Sequence, residues 1–558
     1  MILAPFEQIE DYTEHGWWGV ETLDDVFRRN TQTHPHRLAV ADPPNRVEID
    51  GHEPRRLTYA VLDEEVAALA TSMLHWGLQK DDVVAVQLPN SVDLLITYLA
   101  CWRIGLIVSP MPVQWRSHEL SDVLAFVRAK AVMTTSGIRG HEHAKMMEAI
   151  VGELTPRPAL FVMDKSKRHD ADLARISAYM AAYPVDANEA ATICWTSGTE
   201  ARPKGVPRSH NHWLVAGIAC GDAAEIKDGD NILLPFPLIN MAAIGGMLMP
   251  WLKCAGSLVL HHPFDLKVFL QQLVMEKIAY TVAPPAVLTM LLKEEALLGS
   301  LDLSALRSVG SGSAALPPFM VKAWAEAHGI SIINIFGSNE GTCLISGPAD
   351  VPDPEDRANY FPRFGVEGLR WPAQIANWIE TRLVDLQSGD VITKPGHPGE
   401  LLIKGATVFA GYFRAGDGGP EGAIDADGFF HTGDVFEIAG EGDRFYRFVE
   451  RAKDIIIRGG MNISPGEIDG LLVSHPKLAD AAVVGVADKV MGERICAVVV
   501  PKPGETISVE ELRLFLERSG VASYKLPENL VVVDSLPRNP VGKVLRRVLR
   551  EQIGSVPS

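Results

Sequence analysis

Thr196, Ser197, Gly198 and Thr199, followed by Arg202 and Lys204, combine two means of holding an anion. Hydroxyls and glycine backbone N–H groups can bend around it, and cations can neutralise it. They come directly after Ala190, Ala191, Thr192, Ile193, Cys194 and Trp195, an apolar and partly β-branched run that predicts a buried strand. Gly198, Pro203, Gly205 and Pro207 predict a break in regular structure, and Ser209 predicts the N-cap of a helix through Trp213, Leu214, Val215 and Ile218. Strand, polar loop and helix in that order can grip a phosphate. On composition alone the same stretch is a surface turn, so the reading depends on what else the chain carries.

The elements around this loop set its frame. From residue 57 to 287, strands such as DDVVAVQLP and AKAVMTT alternate with helical patterns such as VDLLITYLACWRIG, and YTVAPP follows a helical FLQQLVMEKI. That alternation predicts an α/β fold with parallel or mixed sheets covered by helices on both faces. After Thr58, the helical spacing of Leu62, Val66, Leu69 and Met73 marks core positions. From about residue 370 the short strands ETRLVD and GELLIKG, separated by Gly, Asp and Pro turns, predict a small antiparallel β-barrel or sheet. The texture changes again at VERAKDIIIRGG, after which DAAVVGVAD, ICAVVVPKPG and LVVVDSLP read as strands. Between them lies a helix with a Ser508/Glu511 capping box, closed by Gly520. A boundary at 450–454 divides a large N-terminal domain, 1–450, from a small α+β domain, 455–558.

The 558 residues are too many for one core. Apolar residues at 47% with charged residues at 22% place the chain among ordinary globular proteins. A net charge of −18, from 52 cations against 70 acids, repels nucleic acid and anionic lipid. The one basic cluster, Lys543, Arg546, Arg547 and Arg550, reads as a solvated helix face. Six scattered cysteines show no metal-ligand spacing, which predicts reduced thiols without zinc or disulfides. The N-terminus lacks the order of a secretory signal, and Pro250 and Lys253 interrupt the most apolar stretch. The expectation is a cytoplasmic protein with no integral membrane segment and no nucleic-acid partner; a homodimer is admitted, but nothing in the sequence fixes oligomeric state.

Further motifs follow the phosphate loop in order: FGSNEGT (336–342), FHTGD (430–434), ERAKD (450–454) and PRNPVGK (537–543). Together the five resemble the adenylate-forming superfamily of acyl-CoA synthetases, aryl-acid and amino-acid adenylation enzymes and luciferases, closest to medium-chain and alicyclic acyl-CoA ligases, over essentially the whole chain. The resemblance implies ATP-dependent activation of a carboxylic acid as an acyl-adenylate, with Mg²⁺, and transfer to coenzyme A. It implies that Thr196, Ser197, Gly198, Thr199 and Lys204 grip the outer phosphates and that Glu340 is the Mg²⁺ carboxylate. Phe336 would pack on adenine, with Gly337 keeping the approach open and Ser338 and Asn339 beside the nucleotide. Ser313, Ala314 and Ala315 would line the adenine site, and Asp434 would accept both ribose hydroxyls with Arg451 as a second contact. Residues 451–454 would be a hinge centred on Lys453. About it a mobile C-terminal domain would present first Lys543, for adenylation, and then Gly459 and Gly460, beside the channel for coenzyme A. Asn240, Met241 and Gly312 would belong to the acyl pocket.

The chain departs from this pattern at Glu200, Ala201, Asn339, Glu450 and Asn539. Asn339 keeps a donor able to reach phosphate. Asn240, followed by Met241, Ala242, Ala243, Ile244, Gly245 and Gly246, predicts a roomy apolar cavity with one neutral polar group, suited to medium-chain, alicyclic or aryl acids. Three rival readings stand beside the ligase. SVGSGSAAL (308–316) has the glycine spacing of a nicotinamide-binding loop but lacks an acid-tipped second strand. The departures admit a degenerate, non-catalytic nucleotide-binding module. An adenylation enzyme loading a carrier protein shares every motif.

Overall fold

The computed structural model describes residues 1–196, 203–414, 422–458, 461–488, 491–519, 521, 523–538 and 544–554. The chain forms two compact units, Met1–Thr381 with Ile403–Phe430, and Arg382–Leu402 with His431–Ser558. The first is α/β. One of its sheets has the order Cys343–Ser346, Ser331–Gly337, Ser308–Gly312, Tyr280–Val282, Asn231–Leu234, Ser257–Leu260, Leu38–Ala41, Arg56–Thr58. Its inner pairs are parallel, and the strands at both edges are antiparallel to their neighbours. The second sheet has the order Ala159–Val162, Ala131–Thr134, Val83–Gln87, Ile107–Pro110, Ala190–Thr196, Lys204–Ser209, parallel except for the last pair.

The expected helix after Thr58 runs Tyr59–His75, with the Thr58 hydroxyl accepting from the Val61 N–H and Leu62, Val66, Leu69 and Met73 fully buried. The segment after the phosphate loop differs from expectation. Lys204–Ser209, containing Gly205 and Pro207, is a strand paired antiparallel with Ala190–Thr196, so the loop is the tip of a hairpin. Pro207 is tolerated because this strand is the sheet's edge, where a missing N–H breaks no ladder. The Ser209 cap is present, opening the helix His210–Ala223. Its reciprocal partner is His212, whose Nδ1 accepts from the Ser209 N–H at 3.0 Å. Burial holds the His212 ring well below the usual imidazole range, keeping that lone pair free to accept.

In the second unit Phe430–Ala439 pairs antiparallel with Phe445–Arg451. Farther along, Leu478–Asp488 pairs antiparallel with Gly492–Pro501, and Asn529–Val532 adds to Gly492–Pro501 in parallel. Helices Pro465–Leu472 and Val509–Arg518 supply Ile468, Leu472, Leu512 and Leu516 to the core of this sheet. The second of these has the Ser508 cap; Gly520 lies outside the described residues.

Of the C-terminal basic cluster, Arg547 is exposed as expected, Lys543 lies outside the described residues, and Arg546 and Arg550 are engaged. Arg546 is buried against the Asp469 carboxylate and the Val483 carbonyl. Arg550 donates to the carbonyls of Lys453 and Asp454, at 3.1 and 3.4 Å. A helix at the chain end packs on whatever its long side chains can reach, which composition does not reveal. The six cysteines are buried free thiols. Among the described residues no helix is long and apolar enough to cross a membrane.

Candidate active site

The candidate residues of the first unit leave the C-terminal ends of parallel strands, where open α/β sheets bind ligands. Thr196 ends its strand opposite Lys204, so the two flank the hairpin tip. Ser197, Gly198, Thr199, Glu200 and Ala201 lie outside the described residues. Gly312 and Gly337 end neighbouring parallel strands, so 313–315 and the turn after Phe336 emerge side by side. Ser313 adopts φ +67°, and Ser313, Ala314 and Ala315 are exposed. Phe336 packs at an angle on Phe361, ring centroids 5.9 Å apart.

The next turn is tightly tied. The Gly341 N–H donates to the Ser338 carbonyl at 3.1 Å, and the Ser338 N–H to the Thr342 carbonyl at 3.1 Å. Within it Glu340 is buried, and its Oε1 accepts the Tyr412 hydroxyl at 3.0 Å. The Lys204 ammonium lies 5.3 Å from the centre of the same tyrosine ring. Lys204, Tyr412 and Glu340 thus form one cluster beside the hairpin tip. A lone buried carboxylate with an oxygen beyond the one Tyr412 engages fits Mg²⁺, which takes one or two carboxylates and completes its shell with water and phosphate oxygens. Among the described residues no group of three or more His, Cys, Asp or Glu side chains forms a cage.

Arg208 anchors this turn from below, and no motif pointed to it. Fully buried, it donates to the Thr407 carbonyl at 2.7 Å, the His212 carbonyl at 3.2 Å and the Asn339 carbonyl at 3.4 Å, and lies over the Trp213 ring. Desolvation pushes its pKa down to about 10, still charged at neutral pH. Gly341, at φ +103°, permits the approach: a Cβ there would lie 1.9 Å from the Thr407 oxygen and 2.5 Å from Arg208 Nη1. Gly341→Ala should therefore displace the Glu340 turn. The expected cost is about 1–3 kcal/mol of stability, read as a lower Tm, together with a loss of nucleotide-dependent activity larger than the Tm shift alone explains.

Asn339 is held at both ends of its amide. Its Nδ2 donates to the Trp195 carbonyl at 3.1 Å, and its Oδ1 accepts the Met241 N–H at 2.8 Å. Asn240 caps the short turn Met241–Ala243, accepting from the Ala243 N–H at 3.2 Å. The two glycines of this stretch differ in their surroundings. At Gly245 a Cβ would meet Met241 Sδ at 2.6 Å and Ala216 Cβ at 3.3 Å, so this glycine serves close helix packing. At Gly246, buried in the π-helical turn Ile244–Leu248, the nearest atom to a Cβ would be the Met241 carbonyl at 3.9 Å, leaving room there.

In the second unit Asp434 sits opposite Arg451 across the ladder, with Arg451 Nε 2.7 Å from Asp434 Oδ1. Glu450, one of the departures from the family pattern, is buried; it accepts from the Arg451 N–H at 3.1 Å and the Gly466 N–H at 3.1 Å, and lies 3.7 Å from Arg546. Lys453 lies in a 3-10 turn, Ala452–Asp454. Gly459, Gly460, Asn539 and Lys543 lie outside the described residues.

The nicotinamide reading fails on geometry. A Cβ at Gly310 would strike Ile335 Cδ1 and the Tyr280 hydroxyl, each at 2.8 Å, and at Gly312 the Ile335 carbonyl at 2.2 Å. These glycines let neighbouring elements approach one another and do not open a loop for pyrophosphate. Residues 27–413 match the family model for AMP-binding enzymes, and 467–543 match that for the AMP-binding enzyme C-terminal domain. The chain belongs to the AMP-binding enzyme family. Among its relatives is the medium-chain fatty-acid–CoA ligase of Escherichia coli, 31% identical over 556 residues, covering 97% of this chain and 92% of that one. The indoleacetate–CoA ligase of Aromatoleum aromaticum is 32% identical over 544 residues, covering 95% and 98%. Among solved structures, ATP-bound MatB from Rhodopseudomonas palustris matches with a TM-score of 0.76 at 25% identity, covering 96% of this chain and all of that one. The resemblance to adenylate-forming enzymes and the α/β fold with a smaller sheet-containing C-terminal unit are therefore borne out for this AMP-binding enzyme.

Proposed function

We propose that this chain is an ATP-dependent acid–thiol ligase. A carboxylate oxygen of the acid attacks the α-phosphorus of ATP and pyrophosphate leaves; the thiol of coenzyme A then gives up its proton to solvent and attacks the acyl carbonyl, a thioester forms and AMP leaves with its bonding pair. The observation that carries this reading is the cluster of Lys204, Tyr412 and Glu340 beside the hairpin tip that begins at Thr196. Phosphoryl transfer needs position and charge stabilisation more than covalent help from the protein, and this cluster offers a cation, a hydroxyl and an anchored carboxylate.

Thr196, Ser197, Gly198 and Thr199 donate to the outer phosphates with Lys204, and Phe336 with 313–315 holds the base. Asp434, oriented by Arg451, accepts the ribose hydroxyls. Glu340 would hold Mg²⁺, which when bound neutralises phosphate charge. The acid lies beside Gly246, Asn240 and Gly312, with medium-chain, alicyclic and aryl acids ahead of long-chain ones. The site of action proposed is the cytoplasm, and coenzyme A is the acceptor ahead of a carrier protein.

Residues 451–454 are the proposed hinge, and Arg550 is its brace. Arg550→Ala should change the ratio of thioester formation to adenylation by about threefold or more, beyond what any accompanying fall in Tm explains. An unchanged ratio would count against the brace.

ATP–pyrophosphate exchange across a panel of carboxylic acids, followed by mass spectrometry of products formed with coenzyme A, tests the function. Acid-dependent exchange and an acyl-CoA product are expected. ATP binding without exchange for any acid would point to a non-catalytic module.

A further inference from the structure

We propose that Asn339 is a positioning residue that couples acid binding to nucleotide binding, rather than a simple phosphate contact. The proposal rests on the reading above, in which the hairpin tip takes the triphosphate and the Met241–Ala243 turn borders the acid. Asn339 stands immediately before Glu340 in a turn that leaves one sheet. Its Nδ2 holds the Trp195 carbonyl, one residue before the hairpin tip of the other sheet, and its Oδ1 holds the Met241 N–H. The Arg208 contact to its own carbonyl fixes its backbone as well.

One rigid amide therefore ties the root of the phosphate loop, the metal-site turn and the first residue of the acid-side turn. The donor and acceptor of an amide are separate atoms, so both partners are held at once. A hydroxyl side chain would offer one oxygen for both duties and is shorter. A shift of the hairpin root on nucleotide binding must then strain or relax the Met241 bond, and acid binding must act back on the nucleotide by the same factor. Pinning Met241 also fixes the Asn240 cap and the turn that carries Gly246.

The test measures binding of the best acid from the exchange screen by calorimetry, with and without a non-hydrolysable ATP analogue and Mg²⁺. The wild type should show acid affinity raised by the analogue, by a factor of about 5–150. Asn339→Ala should bring that factor to within about twofold of one while the analogue's own affinity, without acid, stays within about threefold. Met241→Pro removes the same bond from the other side. Proline is tolerated at the first position of a helix, and Asn240 is already extended there, with φ −151° and ψ 178°. It should lower the factor likewise, and it decides the question alone if Asn339→Ala does not fold.

Wild-type coupling retained in a folded variant would overturn the proposal. So would loss of nucleotide affinity with coupling intact, which is the signature of a direct phosphate contact. An uncoupled wild type that still catalyses exchange would also overturn it while leaving the ligase reading standing, whereas no exchange at all would remove both.

Discussion

Lys543→Ala is expected to lower acid-dependent ATP–pyrophosphate exchange by about 10²–10³-fold while leaving thioester formation from supplied acyl-adenylate within about threefold of wild type. The asymmetry arises because the second half-reaction builds charge on the leaving AMP, whereas only the first builds it on the leaving pyrophosphate. A cation that stabilises this charge contributes to that barrier and not to attack by the thiol. The loop's flanks are held independently of Lys543. Arg538 bridges Val544, the Leu545 N–H donates to the Pro537 carbonyl at 2.8 Å, and Arg538 pairs with Asp480 at 2.7 Å. Removing the ammonium should therefore leave the fold intact, with an unchanged Tm as the control. Equal loss of both half-reactions would remove Lys543 from the role assigned to it.

Glu340→Gln should reduce exchange by about 10²–10³-fold and raise the Mg²⁺ concentration needed for half-maximal ATP binding. The substitution keeps shape and one acceptor oxygen for the Tyr412 hydroxyl, which now donates to a carboxylate. What it removes is the charge. A hard cation bound through few protein ligands depends on that charge, so the effect should appear in Mg²⁺-dependent nucleotide binding as well as in rate. Tyr412→Phe serves as the milder companion, retaining the carboxylate and the ring under Lys204 while deleting the hydroxyl. A variant that binds MgATP like the wild type would show that Glu340 is only a buried turn acid.

The alternation of strands and helices was legible because burying one face of a helix or both faces of a strand imposes a period on the sequence. Leu62, Val66, Leu69 and Met73 carried that period and are fully buried. The caps at Ser209 and Ser508 were legible because a helix start leaves orphan N–H groups that nearby side chains must satisfy. The edge strand Lys204–Ser209 was not, because glycine and proline forbid a strand only where a ladder bond is needed. Arg208 and Tyr412 escaped for a different reason. Neither belongs to a local pattern, and their importance lies in partners far along the chain, Thr407 for the first and Glu340 for the second.

The order of the five motifs, and with it the family and the class of chemistry, is a property of the sequence alone. Each motif answers a local demand, such as a hydroxyl loop for phosphate or a carboxylate for a cation, and local demands leave local signatures. Tertiary structure decided how those motifs are held: that Asn339 spends both ends of its amide on backbone from two other segments, that Glu450 caps a helix start, and that the last helix grips the 451–454 turn. The physical reason is that a hydrogen bond is specified by where two groups meet in space. A side chain's type says which bonds it can make, and only the packed fold says which of them it does.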